Sequence, residues 1–251
     1  MVNETQLNEK VVLVTGSARR VGKAILLKFA EAGAHVIVHH GNSDSAAEQT
    51  AQEARAFGVQ ATVFKADLAS PDAISDLFSH IEEHFGRLDV LVNSAATFFA
   101  RSLLEIPLEE WQLVMDVNLT APFLTTQHAA RLMMKHQGGA IINITDNGGR
   151  RPWKKRPHHS VSKAGLIMLT KVSALALGPY NIRVNAIAPG PVLPPPDQTE
   201  EDWAFYKEKL PLKRIGNPDD VARAALFLAT NTFITGEVLG VDGGSILTVG
   251  E

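Results

Sequence analysis

The chain has 251 residues, 24 lysines and arginines against 27 aspartates and glutamates, and 45% hydrophobic residues, a composition that gives one globular domain, residues 1–251, room for a sizeable core. The absence of cysteine excludes disulfide scaffolds, thiolate nucleophiles and cysteine-ligated zinc or iron–sulfur sites, and fits a cytoplasmic location. No apolar run reaches the roughly eighteen residues of a spanning helix, and the stretch MVNETQLNEKVVLVTG lacks the zones of a secretory signal, so neither membrane association nor export is expected.

In chain order, short β-branched runs occur at Val11–Val14, Val36–Val38, Ala61–Phe64, Val90–Val92, Ile141–Ile144, Val184–Ile187 and Val238–Val241. Between them, Gly22–Ala32, Ala46–Phe57, Ala73–Phe85 and Ser160–Leu177 carry apolar residues at helical spacing. The alternation predicts an α/β fold, a Rossmann-type doubly wound parallel sheet of seven strands with helices on both faces; a closed barrel is the rival architecture. The runs are almost continuously apolar, as strands covered on both faces require. A proline-rich stretch, Pro189 to Pro196, precedes the amphipathic segment Glu200–Leu210, and 189–212 reads as a loop and helix over a binding cleft.

After the first strand comes Thr15-Gly16-Ser17-Ala18-Arg19-Arg20-Val21-Gly22, opening a helix near Lys23. A strand, a tight turn and a helix N-terminus aim backbone N–H groups and the positive end of a helix dipole at one point, which suits a pyrophosphate. A plain strand-to-helix turn is the simpler alternative.

This turn, Asp67-Leu68, Asn93-Ser94-Ala95-Ala96, Asn118, Lys163, Pro189-Gly190-Pro191-Val192 and Val241-Asp242-Gly243-Gly244 together resemble the short-chain dehydrogenase/reductase family, in order and over essentially the whole chain. Arg20, where the middle glycine of the turn usually stands, and Ser43-Asp44-Ser45-Ala46-Ala47-Glu48 resemble its pteridine-reductase branch. The resemblance implies that Gly16, Ser17, Arg19, Arg20, Val21 and Gly22 hold the pyrophosphate end of a nicotinamide dinucleotide. It further implies that Asp67 and Leu68 hold the adenine edge, that Asn93, Ser94 and Ala95 line the adenosine ribose, and that Pro189, Gly190 and Val192 face the carboxamide. A homotetramer, or at least a homodimer, is also implied.

An acidic residue at the end of the second strand usually selects the 2′-hydroxyl of NAD. Here that place reads Val38-His39-His40-Gly41-Asn42-Ser43, with no carboxylate before Asp44, while Arg19 and Arg20 project from the neighbouring turn. With His40, Asn42 and Ser43 beside them, NADPH/NADP+ is favoured over NAD. A solvent-facing strand end is the plainer reading of His39 and His40.

In the family a tyrosine moves the carbonyl proton, a lysine assists it and holds the nicotinamide ribose, a serine polarises the substrate oxygen and an asparagine anchors a relay. Here the lysine is Lys163 and the asparagine Asn118, but the tyrosine position holds His159 and the serine position Asp146. His159 and Lys163 are four residues apart and share a helix face. An imidazolium is a competent acid near neutrality; Asp146 would favour it, and Lys163 and an oxidised nicotinamide would oppose it. Alternatively Asp146 is the donor and His159 shapes the pocket, or the chain binds the cofactor and catalyses little. Of the two tyrosines, Tyr180 and Tyr206, neither precedes a helical lysine by four residues.

The basic run Arg150, Arg151, Lys154, Lys155 and Arg156 leaves the rest of the chain at a formal −8 and is expected at the substrate mouth. Arg151 and Lys155 would receive an anionic or carrier-bound small-molecule substrate, and Phe98 and Trp153 would stack on a planar ring, although ordinary packing suffices for both. Nucleic acid is disfavoured by the net negative remainder. His80-Ile81-Glu82-Glu83-His84 matches a zinc-hydrolase spacing but falls on an outer helix with no further ligand, so no metal is expected. The composite expectation is an NADP(H)-dependent reductase of a small carbonyl or pterin-like C=N, with a 3-oxoacyl-carrier reductase and a non-catalytic cofactor-binding homologue as rivals.

Overall fold

In the computed structural model, which describes residues 7–194 and 199–248, each apolar run forms a strand: β1 (Val11–Val14), β2 (His35–His40), β3 (Ala61–Lys65), β4 (Val90–Asn93), β5 (Gly139–Ile144), β6 (Ile182–Pro189) and β7 (Val238–Val241). All pairings are parallel, in the order β3-β2-β1-β4-β5-β6-β7. The sheet is open, which removes the barrel alternative. The strand order reverses between β1 and β4, opening a crevice at the carboxyl ends of the strands where ligands of such sheets bind.

Successive strand residues point to opposite faces and enter two cores. Val12, Val14, Val36 and Val38 pack with α1 (Arg20–Glu31), α2 (Asp44–Arg55) and α8 (Pro218–Thr230). Val11, Leu13, Ile37 and Leu91 pack with α3 (Pro71–Phe85), α5 (Ala121–Met134) and α6 (Pro157–Leu177). Phe29, Ile25 and Leu26 of α1 are fully buried, each a contribution of about 2 kcal/mol by transfer of apolar surface.

Three helical pieces lie outside the segments marked by apolar spacing: α4 (Leu108–Met115), α5 and α8. α8 is started by a reciprocal cap, in which Asn217 accepts from Asp220 N and Asp220 accepts from Asn217 N, both at 3.0 Å. Between α4 and α5 the helix widens into a π turn over Asp116–Thr120 that buries Asn118, a distortion often found at functional sites. α7 (Glu200–Lys209) forms where the cleft helix was predicted, while Pro195 and Pro196 lie outside the described residues.

α6 inverts the usual pattern. It buries His158, His159, Ser162 and Lys163 and exposes Val161, Met168, Val172 and Leu175. The helical stretch 157–180 is long and apolar enough to cross a membrane by length and composition; here it lies against β5 and β6.

Candidate active site

The phosphate-binding turn owes its shape to backbone proximity. Gly16 has φ +66°, and a Cβ there would stand 2.9 Å from Ala95 Cα; one on Gly22 would collide with the Gly16 carbonyl. Thr15 Oγ1 accepts from the amides of Ser94 and Ala95 at 2.9 and 3.1 Å, lashing the end of β4 to the turn. Gly16 N donates to His39 Nδ1 at 3.0 Å, and the other ring nitrogen lies 3.1 Å from the Ala66 carbonyl, which places the ring hydrogen on Nε2. Burial pushes His39 down to about 4, partly offset by the Ala66 carbonyl. The imidazole at the end of β2 is therefore a neutral internal rivet, not the solvent-facing residue of the plain sequence reading. Ser17 is buried as well, and its hydroxyl accepts from His39 N at 3.2 Å, so its side chain braces β2 and does not line the crevice.

Arg19 caps α1 through its backbone and has no side-chain partner among the described residues. Arg20 takes the left-handed backbone, φ +57°, that the usual glycine provides, and its Nη2 donates to the Pro194 carbonyl at 2.5 Å across the crevice. A cavity of about 420 Å3 is lined by Arg19, Arg20, Lys23, Ser45, Ala46 and Gln49. Beside it Asn42 is exposed, Ser43 N donates to His40 Nδ1 at 3.2 Å, and burial lowers His40. Asp44 is held 3.1 Å from Lys65, whose hydrogen bond keeps it below the ordinary carboxylate range. Asp67 is exposed with Oδ1 accepting from Ala69 N at 3.0 Å, whereas the Leu68 side chain belongs to the core.

Asn93 corrects the expectation that it lines a ribose. It is buried, donates to Asn143 Oδ1 at 2.9 Å and accepts from Thr125 Oγ1 at 2.8 Å; Asn143 in turn donates to Thr170 Oγ1 at 2.9 Å. These four side chains form a buried polar ladder joining α5, β4, β5 and α6 under the crevice.

At the end of β5, Asp146 caps a short turn over Asn147–Gly149, its Oδ1 accepting from Gly149 N at 3.3 Å. Its Oδ2 lies 2.5 Å from His159 Nε2. Burial alone would raise the Asp146 carboxyl, but the hydrogen bond and charge of His159, with the Lys163 ammonium, hold it below its ordinary value. Lys163, one helical turn from His159, is buried and donates to the Ile144 carbonyl at 2.8 Å. Its burial depresses its pKa and Asp146 opposes that shift. Asn118 accepts from Thr97 N at 2.8 Å and donates to Thr97 O at 3.1 Å, with Ser162 Oγ 3.2 Å and His159 Nδ1 3.4 Å from the same amide nitrogen. Asp146, His159, Lys163 and Asn118 thus form one cluster.

Phe98 and Trp153 join it by covering His159. Trp153 is parallel to the imidazole at 5.8 Å and Phe98 is edge-on at 4.6 Å, with the Arg156 guanidinium 3.8 Å above the Phe98 ring. The basic loop departs from its expected role. Arg151 donates to the carbonyls of Ser245 and Ile246 at 3.2 and 3.5 Å, and Arg150 donates to the Val238 carbonyl, so both guanidiniums are engaged with the chain around β7 and not directed at the crevice mouth. Lys154 and Lys155 are exposed.

Pro189 ends β6, Gly190 N donates to Val241 O at 3.0 Å, and Val192 is buried against the first core. Tyr206 packs near Trp203, ring centroids 5.6 Å apart, and Tyr180 is exposed past the end of α6. His80 and His84 meet at 3.8 Å, but His84 Nδ1 is engaged by the His80 carbonyl, and no group of three metal-ligating side chains occurs among the described residues.

Some participants carried no sequence signal: Thr97 acts through its backbone, and the bracing roles of His39 and Ser17 depend on contacts that residue order does not show. Ser162 and Lys65 could have been suspected only as a polar residue in a buried helix and a cation at an exposed strand end.

The family model described as enoyl-(acyl carrier protein) reductase matches residues 16–245. A 3-oxoacyl-[acyl-carrier-protein] reductase from Synechocystis is 39% identical, the alignment covering 97% of this chain and 99% of the relative. An L-rhamnose 1-dehydrogenase (NAD(P)(+)) from Azotobacter vinelandii is 37% identical over 95% and 97%. The crystal structure of a short-chain type dehydrogenase/reductase from Mycobacterium marinum superposes with a TM-score of 0.88 at 33% identity, covering 97% of each chain.

Proposed function

The chain belongs to the short-chain dehydrogenase/reductase family, and from that premise we propose that it is a cytoplasmic, NADP(H)-dependent enzyme that reduces a small carbonyl compound to its alcohol. The observation that carries the reading is the gathering of Asp146, His159, Lys163 and Asn118 at the carboxyl end of β5, beside a turn whose two glycines admit close approach. The residues fit a dinucleotide. Gly16, Arg19, Arg20, Val21 and Gly22 would hold the pyrophosphate, Asp67 the adenine edge, Ser94 and Ala95 the adenosine ribose, and Pro189, Gly190 and Val192 the carboxamide. Lys163 would hold the nicotinamide ribose. When bound, the nicotinamide supplies the hydride; the chain's own work is to orient the carbonyl and move one proton at Asp146 and His159.

NADP(H) is supported by Arg19, whose side chain has no partner among the described residues, by a cavity lined with Arg20 and Lys23, and by the pairing of Asp44 with Lys65. Arg20 and Ser43-Asp44-Ser45-Ala46-Ala47-Glu48 are the features that resemble the pteridine-reductase branch. A pterin-like C=N is the weaker substrate reading, because Arg156 and His159 already cover the Phe98 ring on which a pterin would stack. A second reading is a 3-oxoacyl thioester on an acidic carrier. The exposed Lys154 and Lys155 and the Synechocystis relative favour it, and replacing both lysines by alanine would then raise KM for a carrier thioester but not for a free ketone. The exposed stripe Val161, Met168, Val172 and Leu175 on α6 supports pairing with a second copy, as a dimer or tetramer.

The test is oxidation of NADPH and NADH with a panel of ketones, a 3-oxoacyl carrier thioester and a dihydropterin, between about pH 5.5 and 8. Turnover with NADPH on a carbonyl is expected. Tight coenzyme binding without turnover on any member would replace the reading with a non-catalytic homologue.

A further inference from the structure

β5 and β7 are not neighbours in the sheet, for β6 lies between them, yet a side-chain tie joins their carboxyl ends. Asn147, which follows Asp146 at the exit of β5, donates through Nδ2 to Asp242 Oδ2 at 2.9 Å and to Ser245 Oγ at 2.6 Å. The Ser245 hydroxyl donates in turn to Asp242 Oδ2 at 3.2 Å, which closes a triangle. Ile246 N and Gly244 N donate to the same carboxylate, each at 2.9 Å. Burial alone would raise the Asp242 carboxyl, but the hydrogen bond from Asn147 and those from the two amides hold it below its ordinary value. The Asn147 amide is oriented by this arrangement, because reversing it would set Oδ1 against a carboxylate. Oδ1 is instead buried with no partner among the described residues. A buried acceptor left unpaired costs about 1–3 kcal/mol, and the tie is kept despite it.

The segment leaving β6 is caught against this tie. Gly190 N donates to Val241 O at 3.0 Å, and a Cβ on Gly190 would stand 2.6 Å from both Cα and Cβ of Asp242, so only a glycine fits there. We propose that Asp242 is a positioning residue: bound to Asn147, it sets the spacing between Pro189-Gly190-Pro191-Val192 and the turn that follows Asp146, and so seats the nicotinamide half of the coenzyme. The inference rests on the functional reading above, in which that segment faces the carboxamide and Asp146 lies at the reaction centre. In the same reading the adenosine half is held at the ends of β1 and β2, on the far side of β4 from the tie. A change at Asp242 is therefore felt by one half of the coenzyme and not by the other.

Binding separates the halves. The probes are NADPH and 2′,5′-ADP, which is the adenosine end alone, titrated calorimetrically. Asp242→Asn sets a donor among donors and should weaken NADPH at least about tenfold while 2′,5′-ADP changes less than about twofold. Equal weakening of both probes would mean a general loosening and overturn the assignment, and so would undiminished NADPH binding. Asn147→Asp sets two carboxylates together and should act in the same direction. The double variant Asn147→Asp/Asp242→Asn restores a carboxylate facing an amide and should recover NADPH affinity to within about threefold of wild type. A double variant no better than the single ones overturns the pairing. If Asp242→Asn does not fold, Ser245→Ala removes one donor only and should weaken NADPH about threefold with 2′,5′-ADP unmoved; an equal loss on both probes is adverse there too.

The tie is also read without coenzyme. Hydrogen exchange of the Gly190 and Val192 amides should quicken at least about tenfold in Asp242→Asn, while the amides of β1 and β2 exchange as in wild type. Unchanged exchange at Gly190 and Val192 overturns the tie. If wild type binds neither NADPH nor 2′,5′-ADP, the functional reading fails, while exchange still decides whether Asp242 fixes the exit of β6.

Discussion

Acid should loosen the coenzyme turn through one residue, His39. Its imidazole accepts from Gly16 N and is held to the Ala66 carbonyl, and burial lowers its pKa from 6.5 to about 4. Between those values the unfolded chain binds a proton that the folded chain refuses. The sign follows from linkage: stability is fully present above pH 6.5 and is lost as the pH falls toward 4. At about 1.4 kcal/mol per tenfold change in proton affinity, the whole effect is about 3 kcal/mol, of which about 2 kcal/mol is gone by about pH 5. His39→Phe removes the titration but leaves the Gly16 amide and the Ala66 carbonyl unpaired, a loss of about 2–5 kcal/mol at neutral pH. Urea unfolding of both proteins at about pH 7 and 5, at one protein concentration, should show the stability gap narrowing by about 2 kcal/mol in acid. NADPH affinity of the folded wild type should hold over this interval and fall only toward pH 4, where a protonated Nδ1 opposes the Gly16 amide. A gap that stays constant with pH, or an imidazole resonance for His39 that titrates near 6.5, would refute this account.

Arg19→Glu should lower the preference for NADPH over NADH by at least about tenfold, read from the ratio of kcat/KM values, since it puts a carboxylate where a 2′-phosphate would sit. Arg151→Ala should cost about 1–2 kcal/mol in denaturant unfolding through its bonds to Ser245 and Ile246 and leave KM for an anionic substrate unchanged; a raised KM with unaltered stability would return Arg151 to the substrate mouth. Met168→Glu on the exposed stripe of α6 should shift the protein toward monomer in sedimentation, and an unmoved distribution would locate the self-association surface elsewhere.

The sheet was legible because its strands are contiguous apolar runs, and the coenzyme turn because its glycines sit at fixed offsets from β1. Both are properties of neighbours along the chain. Asn93 and Arg151 were misread because their partners lie far away in sequence, on β5 and α5 for the one and beyond β7 for the other. An asparagine in a family-like position and an arginine in a basic loop look the same whether they face a ligand or a carbonyl. The helices on either side of Asn118 went unmarked because Leu108, Leu113 and Phe123 are exposed, which blurs the apolar spacing that marks a buried face. That His159 stands at the family's tyrosine position is an expectation from residue order; the hydrogen bonding of Asn118 beside it is set by the backbone of Thr97, which residue order does not reveal.

The hydrogen-bonded chain from Thr125 through Asn93 and Asn143 to Thr170 ties the helix that bears His159 and Lys163 to β4 and β5. Each link fixes where a helix may slide along the sheet, which greasy contact alone leaves loose. An alteration at Thr125, remote from any ligand, would accordingly surface as a misaligned reaction centre in a chain that remains folded.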